Sequence, residues 1–97
     1  MEYIIKQTQT FKDWLATIKD RVAFIAINRR LDRASRGNFG DHKAVGEGVS
    51  EMRVDVGTGY RLYYTIRGQQ VIFFLTGGNK SSQQTAIAKA KDKAKEI

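Results

Sequence analysis

The chain has 97 residues, and its 17 lysines and arginines against ten acidic residues give a formal charge of +7. This length suits one domain, expected over residues 1–97, and the sequence has no cysteine and one histidine, which argues against disulfides and a zinc site. No apolar run reaches the roughly 20 residues that span a bilayer, and the N-terminus does not resemble a secretory signal. We therefore expect a soluble, cytoplasmic protein without a cofactor. Its expected partner is a polyanion, first of all nucleic acid, and an acidic protein is the open alternative.

The N-terminal third predicts a strand followed by two helices. Tyr3–Ile5 is a short run of β-formers. Thr10 and Asp13 resemble a capping box at the start of a first helix. Its apolar residues recur at helical spacing and comprise Phe11, Trp14, Leu15 and Ile18.

Asp20 is the predicted N-cap of the second helix, and Gly37 is predicted to end it. The expected buried stripe of this helix contains Phe24, Ile27 and Leu31. The solvent-facing side of this helix is basic, and its candidate nucleic-acid contacts are Arg29, Arg33 and Arg36. A solvated surface is the equally weighted alternative for these arginines.

The rest of the chain predicts a loop, a three-stranded meander and a last helix. Glycines mark residues 37–48 as a loop. Period-two alternation then predicts strands over 51–56 and 60–67, and the apolar run Val71–Leu75 predicts a strand buried on both faces. Gly77 and Gly78 are expected to end the sheet before a weakly apolar helix that begins near Ser81. The fold class is therefore α+β, in the order β-α-α-β-β-β-α.

A three-residue turn at residues 57–59 would place Asp55 opposite Arg61 and Arg53 opposite Tyr63. The same register places Arg53 and Arg61 on the sheet face that does not carry Val54. A two-residue turn at residues 68–69 would place Phe74 opposite Tyr63 on the next strand. Lys80 follows the next strand at the same end, so these three cations are the candidate catalytic residues. Arginine grips phosphate through a planar fork of donors, and cations stabilise the charge that builds up during RNA cleavage. An ordinary Asp55–Arg61 salt bridge is the structural alternative.

Three further residues are candidate nucleic-acid contacts. The ring of Tyr63 could stack on an unpaired base or could support a helix that packs across the same face. His42 and Lys43 lie together in the glycine-rich loop. His42 could act as a general base, although a lone histidine in a loop is more often a plain surface residue.

Residues 49–82, which read VSEMRVDVGTGYRLYYTIRGQQVIFFLTGGNKSS, resemble the HigB-type "addiction module killer" branch of the RelE/ParE toxin superfamily. Residues 10–15 (TFKDWL), 46–49 (GEGV) and 77–81 (GGNKS) resemble the same branch, so the resemblance covers nearly the whole chain.

The resemblance implies an antiparallel sheet that cradles two N-terminal helices. It also implies metal-independent cleavage of mRNA in the ribosomal A site, leaving a 2′,3′-cyclic phosphate, and neutralisation by an antitoxin such as a HigA-like helix-turn-helix protein. By position, Arg61 resembles the superfamily's arginine in the third strand, and Lys80 resembles a basic residue just after the fourth. Arg53 falls near the basic residues of the second strand.

The sequence departs from the superfamily at positions that bear on cleavage. Asp55 stands where nuclease members often have a lysine, Ala86 stands near the position of a catalytic tyrosine in some members, and a histidine near the C-terminus is missing. Two alternative functions remain open: a ParE-like gyrase poison, and a module that binds RNA or protein without catalysis. Cuts in translated mRNA, a DNA-damage response, or unaltered growth on overexpression would distinguish the three.

Overall fold

A computed structural model of the protein describes residues 2–97. The elements in chain order are β1 (Ile4–Gln7), α1 (Gln9–Ala16), α2 (Arg21–Ser35), β2 (His42–Gly46), β3 (Val49–Val54), β4 (Tyr60–Arg67), β5 (Val71–Asn79), a 3₁₀ turn (Lys80–Ser82) and α3 (Gln83–Ala94). The α+β class is confirmed, and β2 is an additional strand. The sequence predicted a loop there because β2 is a mostly exposed edge strand whose residues do not alternate between apolar and polar.

The five strands form one sheet in the order β1-β5-β4-β3-β2. The expected three-stranded antiparallel meander is formed by β3, β4 and β5, and β2 adds a fourth antiparallel strand at the edge. β1, however, pairs in parallel with β5, with Ile4 beside Val71. The sheet is therefore mixed, and the N-terminal strand lies next to the last strand of the meander.

The first two helices begin at polar caps. Thr8 caps α1 by accepting a hydrogen bond from the Phe11 amide, so the cap lies two residues before the predicted one at Thr10. Asp20 caps α2 as predicted, through the amides of Val22 and Ala23.

Each face of the sheet has its own core. On one face, α1 and α2 pack through side chains such as Phe11, Ile27 and Leu31 against Met52, Leu62 and Phe74. Phe24 was predicted to join this core, but it is largely exposed, and Ala23 is buried in its place one position back on the helix. The second core lies under α3, where Ala86, Ala90 and Ala94 cover Tyr63 and Leu75. The predicted burial of β5 on both faces is confirmed.

The register of the meander differs from the predicted one. Five residues, Asp55–Gly59, connect β3 to β4, so Arg53 lies opposite Arg61 and Glu51 lies opposite Tyr63. The β4–β5 connection has three residues, and a bulge follows near Tyr63. As a result Phe74 pairs with Tyr64, in the core under α1 and α2, rather than with Tyr63 as predicted.

Gly77 and Gly78 were expected to end the sheet, but they lie inside β5. A side chain at Gly77 would collide with the ring of Trp14 in α1, since a Cβ there would lie 2.3 Å from it. A side chain at Gly78 would crowd Ser82 and Ala86. The glycines therefore allow helices to approach the same strand closely. Within residues 2–97, none of the helices is long and apolar enough to cross a membrane.

Candidate functional site

A cavity of about 360 Å³ opens beside the β3–β4 loop. Three cationic side chains line it, those of Arg53, Arg61 and Lys80. The carboxylates of Asp41 and Asp55 lie at the same cavity, together with Tyr60 and the glycine-containing loop. The site thus has an excess of positive charge and a small number of acids.

The sheet brings the three cations together. Arg53 and Arg61 are cross-strand neighbours on β3 and β4. Tyr60 pairs with Asn79 at the end of β5, so Lys80 comes directly after the strand at the same end of the sheet. Asn79 holds the turn by accepting hydrogen bonds from the amides of Ser81 and Ser82.

The carboxylate of Glu51 is fully buried and contacts two of the cations that line the cavity. Its Oε2 accepts hydrogen bonds from Arg61 Nη1 at 3.1 Å and from Arg53 Nε at 3.4 Å. Its Oε1 accepts hydrogen bonds from the Tyr63 hydroxyl at 2.9 Å and from Gln83 Nε2 at 3.0 Å. Lys43 Nζ lies 4.0 Å from Oε2. A buried charge is tolerated only when it is paired and hydrogen-bonded, and Glu51 meets both conditions.

Burial alone would raise the pKa of Glu51, because it disfavours the charged form. The hydrogen bond from Tyr63 and the positive charges of Arg61, Arg53 and Lys43 outweigh burial, so the pKa of Glu51 lies below its ordinary value. Burial and the hydrogen bond to Glu51 raise the pKa of Tyr63. At neutral pH the cluster therefore contains an ionised carboxylate and a neutral phenol.

The exposed parts of the cations define what the site can bind. Arg53 leaves 42% of its side chain exposed, whereas Arg61 leaves 11%. Lys80 is exposed. Each guanidinium has five N–H donors, so bonding to Glu51 leaves others free. Such a group of donors can hold a phosphodiester and stabilise extra negative charge on it.

Comparison with known proteins assigns the chain to a family. Residues 7–97 match the family described as Phage derived protein Gp49-like (DUF891). The chain belongs to this Gp49-like family. A relative from Haemophilus influenzae (strain Rd), described as an uncharacterized protein, is 43% identical over 93 residues, which cover 96% of this chain and 94% of the relative.

The Gp49-like chain also has the fold of RelE toxins. It superimposes on a chain in the crystal structure of the toxin–antitoxin complex RelBE2 from Mycobacterium tuberculosis with a TM-score of 0.67 and 22% identity. That match covers 82% of this chain and all of the other. It superimposes on a mutant of the E. coli toxin RelE in the free state with a TM-score of 0.66 and 18% identity, over 89% and 93% of the two chains.

The fold of this Gp49-like chain brings some of the sequence-predicted residues together and separates others from them. Arg53, Arg61 and Lys80 share the cavity. Lys43 on β2 lies on the same sheet face as these cations, because it pairs with Glu51, but it does not line the cavity. The predicted Asp55–Arg61 bridge is replaced by Glu51–Arg61, since the longer β3–β4 loop moves Asp55 out of the strand.

The remaining predicted contacts lie away from the cavity. Tyr63 is fully buried beneath α3, so its ring has no face free to stack on a base. The expected contact with nucleic acid is therefore wrong, and Tyr63 instead supports the helix that packs across this face. His42 lies on the opposite sheet face from Lys43, with its Nδ1 2.8 Å from the Gly40 carbonyl and its ring against Phe39. Three exposed arginines on α2 or at its C-terminal cap lie across the sheet from Arg61, and among the described residues they do not line the cavity: Arg29, Arg33 and Arg36.

Sequence reasoning missed Glu51 and Gln83. Glu51 alternates with apolar residues as any solvent-facing strand residue would, and nothing local distinguishes it. Gln83 lies 32 residues further along the chain. The signal that could have found Glu51 was the alternation of side chains along β3. Glu51 lies two residues before Arg53, so both side chains must lie on the same sheet face.

Proposed function

We propose that this Gp49-like protein is the toxin of a type II toxin–antitoxin system and that it cuts mRNA on the ribosome. The convergence of Arg53, Arg61 and Lys80 at one open cavity carries the proposal. The RelE-like fold supports it, as does the resemblance of residues 49–82 to HigB-type members of the RelE/ParE superfamily.

In the proposed reaction the ribose 2′-oxygen attacks the adjacent phosphorus. The bond to the 5′-oxygen of the next nucleotide breaks, which leaves a 2′,3′-cyclic phosphate on one fragment. The 2′-hydroxyl gives its proton to water and the departing 5′-oxygen takes one from water, so the number of protons is unchanged. Arg61 and Lys80 hold the scissile phosphate, and Arg53 assists them. Donors fixed around a phosphate lower the barrier because negative charge accumulates on its oxygens in the transition state. No metal ion is needed for these steps.

The basic surface outside the cavity is proposed to hold the surrounding RNA. Lys43 lies on the edge strand β2, with its Nζ 4.0 Å from Glu51 Oε2, and extends the positive charge of this sheet face towards that edge. Arg29, Arg33 and Arg36 would contact ribosomal RNA from the other side, although Arg36 also pairs with Asp32 at 3.1 Å. Contacts of this kind add affinity that falls with salt concentration.

Expression in a growing bacterium tests the nuclease activity. We expect growth arrest, with cuts in translated mRNA that primer extension can map. Arg61→Ala should abolish the cuts, because Arg61 is proposed to contact the phosphate. Arg21→Ala is a matched control, since Arg21 is an exposed arginine of α2 that does not line the cavity.

Growth arrest with intact messages would refute the nuclease proposal. An accompanying DNA-damage response would point to gyrase instead, and the absence of any toxicity would point to a module that only binds RNA or protein. Equal cutting by wild type and Arg61→Ala would refute the proposed role of the cavity.

The proposed partner is a HigA-like helix-turn-helix antitoxin encoded beside the gene. The likeness to a chain solved in a toxin–antitoxin complex supports an antitoxin partner, and the resemblance to HigB-type toxins is the ground for the HigA-like class. Co-expression of the neighbouring reading frame should restore growth, and the two proteins should copurify. Continued arrest with full expression of that neighbour would contradict the pairing.

A further inference from the structure

The two oxygens of Glu51 receive different kinds of donor. Oε1 accepts from neutral groups, the Tyr63 hydroxyl and the Gln83 amide. Oε2 accepts from the two arginines of the cavity. Tyr63 is fully buried under α3, and Gln83 is the first residue of that helix. The carboxylate is therefore fixed to the protein core on one side and presents its other oxygen to the cations.

Arg53 and Arg61 lie directly opposite each other on neighbouring strands. Like charges in this position repel each other. Glu51 shares their sheet face and bonds to both guanidinium groups through the same oxygen. This shared anion offsets the repulsion and keeps both side chains together, although Arg53 is exposed enough to turn away into solvent.

We propose that Glu51 is a positioning residue, which orients Arg61 and Arg53 so that their free N–H groups meet an RNA phosphate in the cavity. The inference rests on the proposed function. A guanidinium is planar and rigid, so a bond that holds Nη1 of Arg61 also sets the direction of its other donors. Glu51 itself is fully buried and has no surface with which to touch RNA.

Glu51 influences affinity and turnover in opposite directions. Its negative charge reduces the positive potential of the cavity, so removing that charge strengthens the attraction of RNA. The same change releases Arg61 from its fixed direction, and misplacement of a catalytic group by 1 Å can slow a reaction about 100-fold. A purely structural residue would not separate the two effects.

The test compares wild type with Glu51→Gln in a reconstituted translation mixture containing ribosomes and a defined mRNA. We expect kcat to fall about 100-fold, with KM unchanged or lower. Glu51→Asp, which keeps the charge on a shorter side chain, should recover part of kcat. Glu47→Gln is the matched control for net charge, because Glu47 pairs with Lys91 and Lys95 and does not line the cavity. It should behave as wild type.

Nuclear magnetic resonance of ¹⁵N-labelled arginine side chains tests the positioning without requiring cleavage. In wild type, the Nη groups of Arg61 should rotate slowly and the Nε–H of Arg53 should be protected from exchange with water. Glu51→Gln should speed the rotation and reduce the protection. If Glu51→Gln does not fold, Glu51→Asp is measured in both assays and should show smaller changes in the same directions.

Wild-type kcat in Glu51→Gln, a rise in KM alone, or the same loss in Glu47→Gln would overturn the inference. Unchanged arginine spectra would also overturn it. If the wild type itself cuts no mRNA, the proposed function fails, and the arginine spectra still decide whether Glu51 holds Arg61.

Discussion

Replacing Tyr63 with phenylalanine removes one hydrogen bond from the buried carboxylate and leaves the ring in place. The Tyr63 ring is fully buried under α3, so the packing is retained. Glu51 Oε1 keeps only Gln83 as a donor, in a place that water does not reach. A hydrogen bond to a charged group contributes about 1.5–3 kcal/mol to stability.

We expect a loss of about 2 kcal/mol in the free energy of unfolding, towards the lower end of that range because Gln83 and both arginines remain. For a domain of this size, each kcal/mol shifts Tm by roughly 4–8 °C, so Tm should fall by roughly 8–16 °C. Urea and thermal denaturation at neutral pH measure both quantities.

Tyr3→Phe is the matched control, since Tyr3 is a half-buried tyrosine that packs against Phe39. Its effect on stability should be small. In a Glu51→Gln background, Tyr63→Phe should lower the free energy of unfolding by less than it does in wild type, because the Tyr63 hydroxyl no longer bonds to a charged group. A loss below about 0.5 kcal/mol in the wild-type background, the usual range for surface substitutions, would refute the reasoning that the Tyr63–Glu51 bond stabilises the fold.

Three further predictions concern acid stability, a tight contact and a helix cap. The pKa of Glu51 is lower in the folded protein than its ordinary value of 4.5. The contribution of Glu51 to stability is therefore complete above pH 4.5 and is lost as pH falls through the folded pKa. Urea unfolding from neutral pH into acid should show this loss in wild type and not in Glu51→Gln. Gly77→Ala should cost about 1–3 kcal/mol by overpacking against Trp14, and combining it with Trp14→Ala should cost less than the two single losses added together, whereas full additivity in thermal denaturation would contradict the contact. Asp20→Ala should cost about 1 kcal/mol because it removes the N-cap of α2, and an unchanged Tm together with unchanged helix content in circular dichroism would contradict that role.

The sequence predicts the faces of β3 and β4 better than it predicts their partners. The true β3–β4 loop is two residues longer than the expected one, and a shift by two residues keeps every side chain on its own face. Arg53 and Arg61 were therefore predicted on the correct sheet face, although Asp55 was predicted as the partner of Arg61 in place of Glu51. At the β4–β5 hairpin the true register differs from the predicted one by one residue, so Phe74 was predicted on the wrong face of the sheet.

The parts of the site that escaped prediction depend on contacts between distant segments. Local signals indicated α2, because its cap at Asp20 and its apolar spacing lie within one stretch of chain. The Glu51–Gln83 bond joins a strand to a helix across β4 and β5, and no local pattern encodes it. β2 was missed for another reason, since an edge strand with an exposed, glycine-containing sequence has the composition of a loop.

The parallel pairing of β1 with β5 has a consequence for how the protein is made. Ile4 hydrogen-bonds to residue 70 and lies beside Val71, so the first strand has no place in the sheet until most of the chain has been synthesised. Contacts between segments so far apart in sequence form slowly, because a long loop must close first. A nascent chain that ends before residue 71 therefore cannot complete the sheet, and Lys80 is absent from it. The sheet and its cavity can therefore assemble only after residues 71–80 have been synthesised.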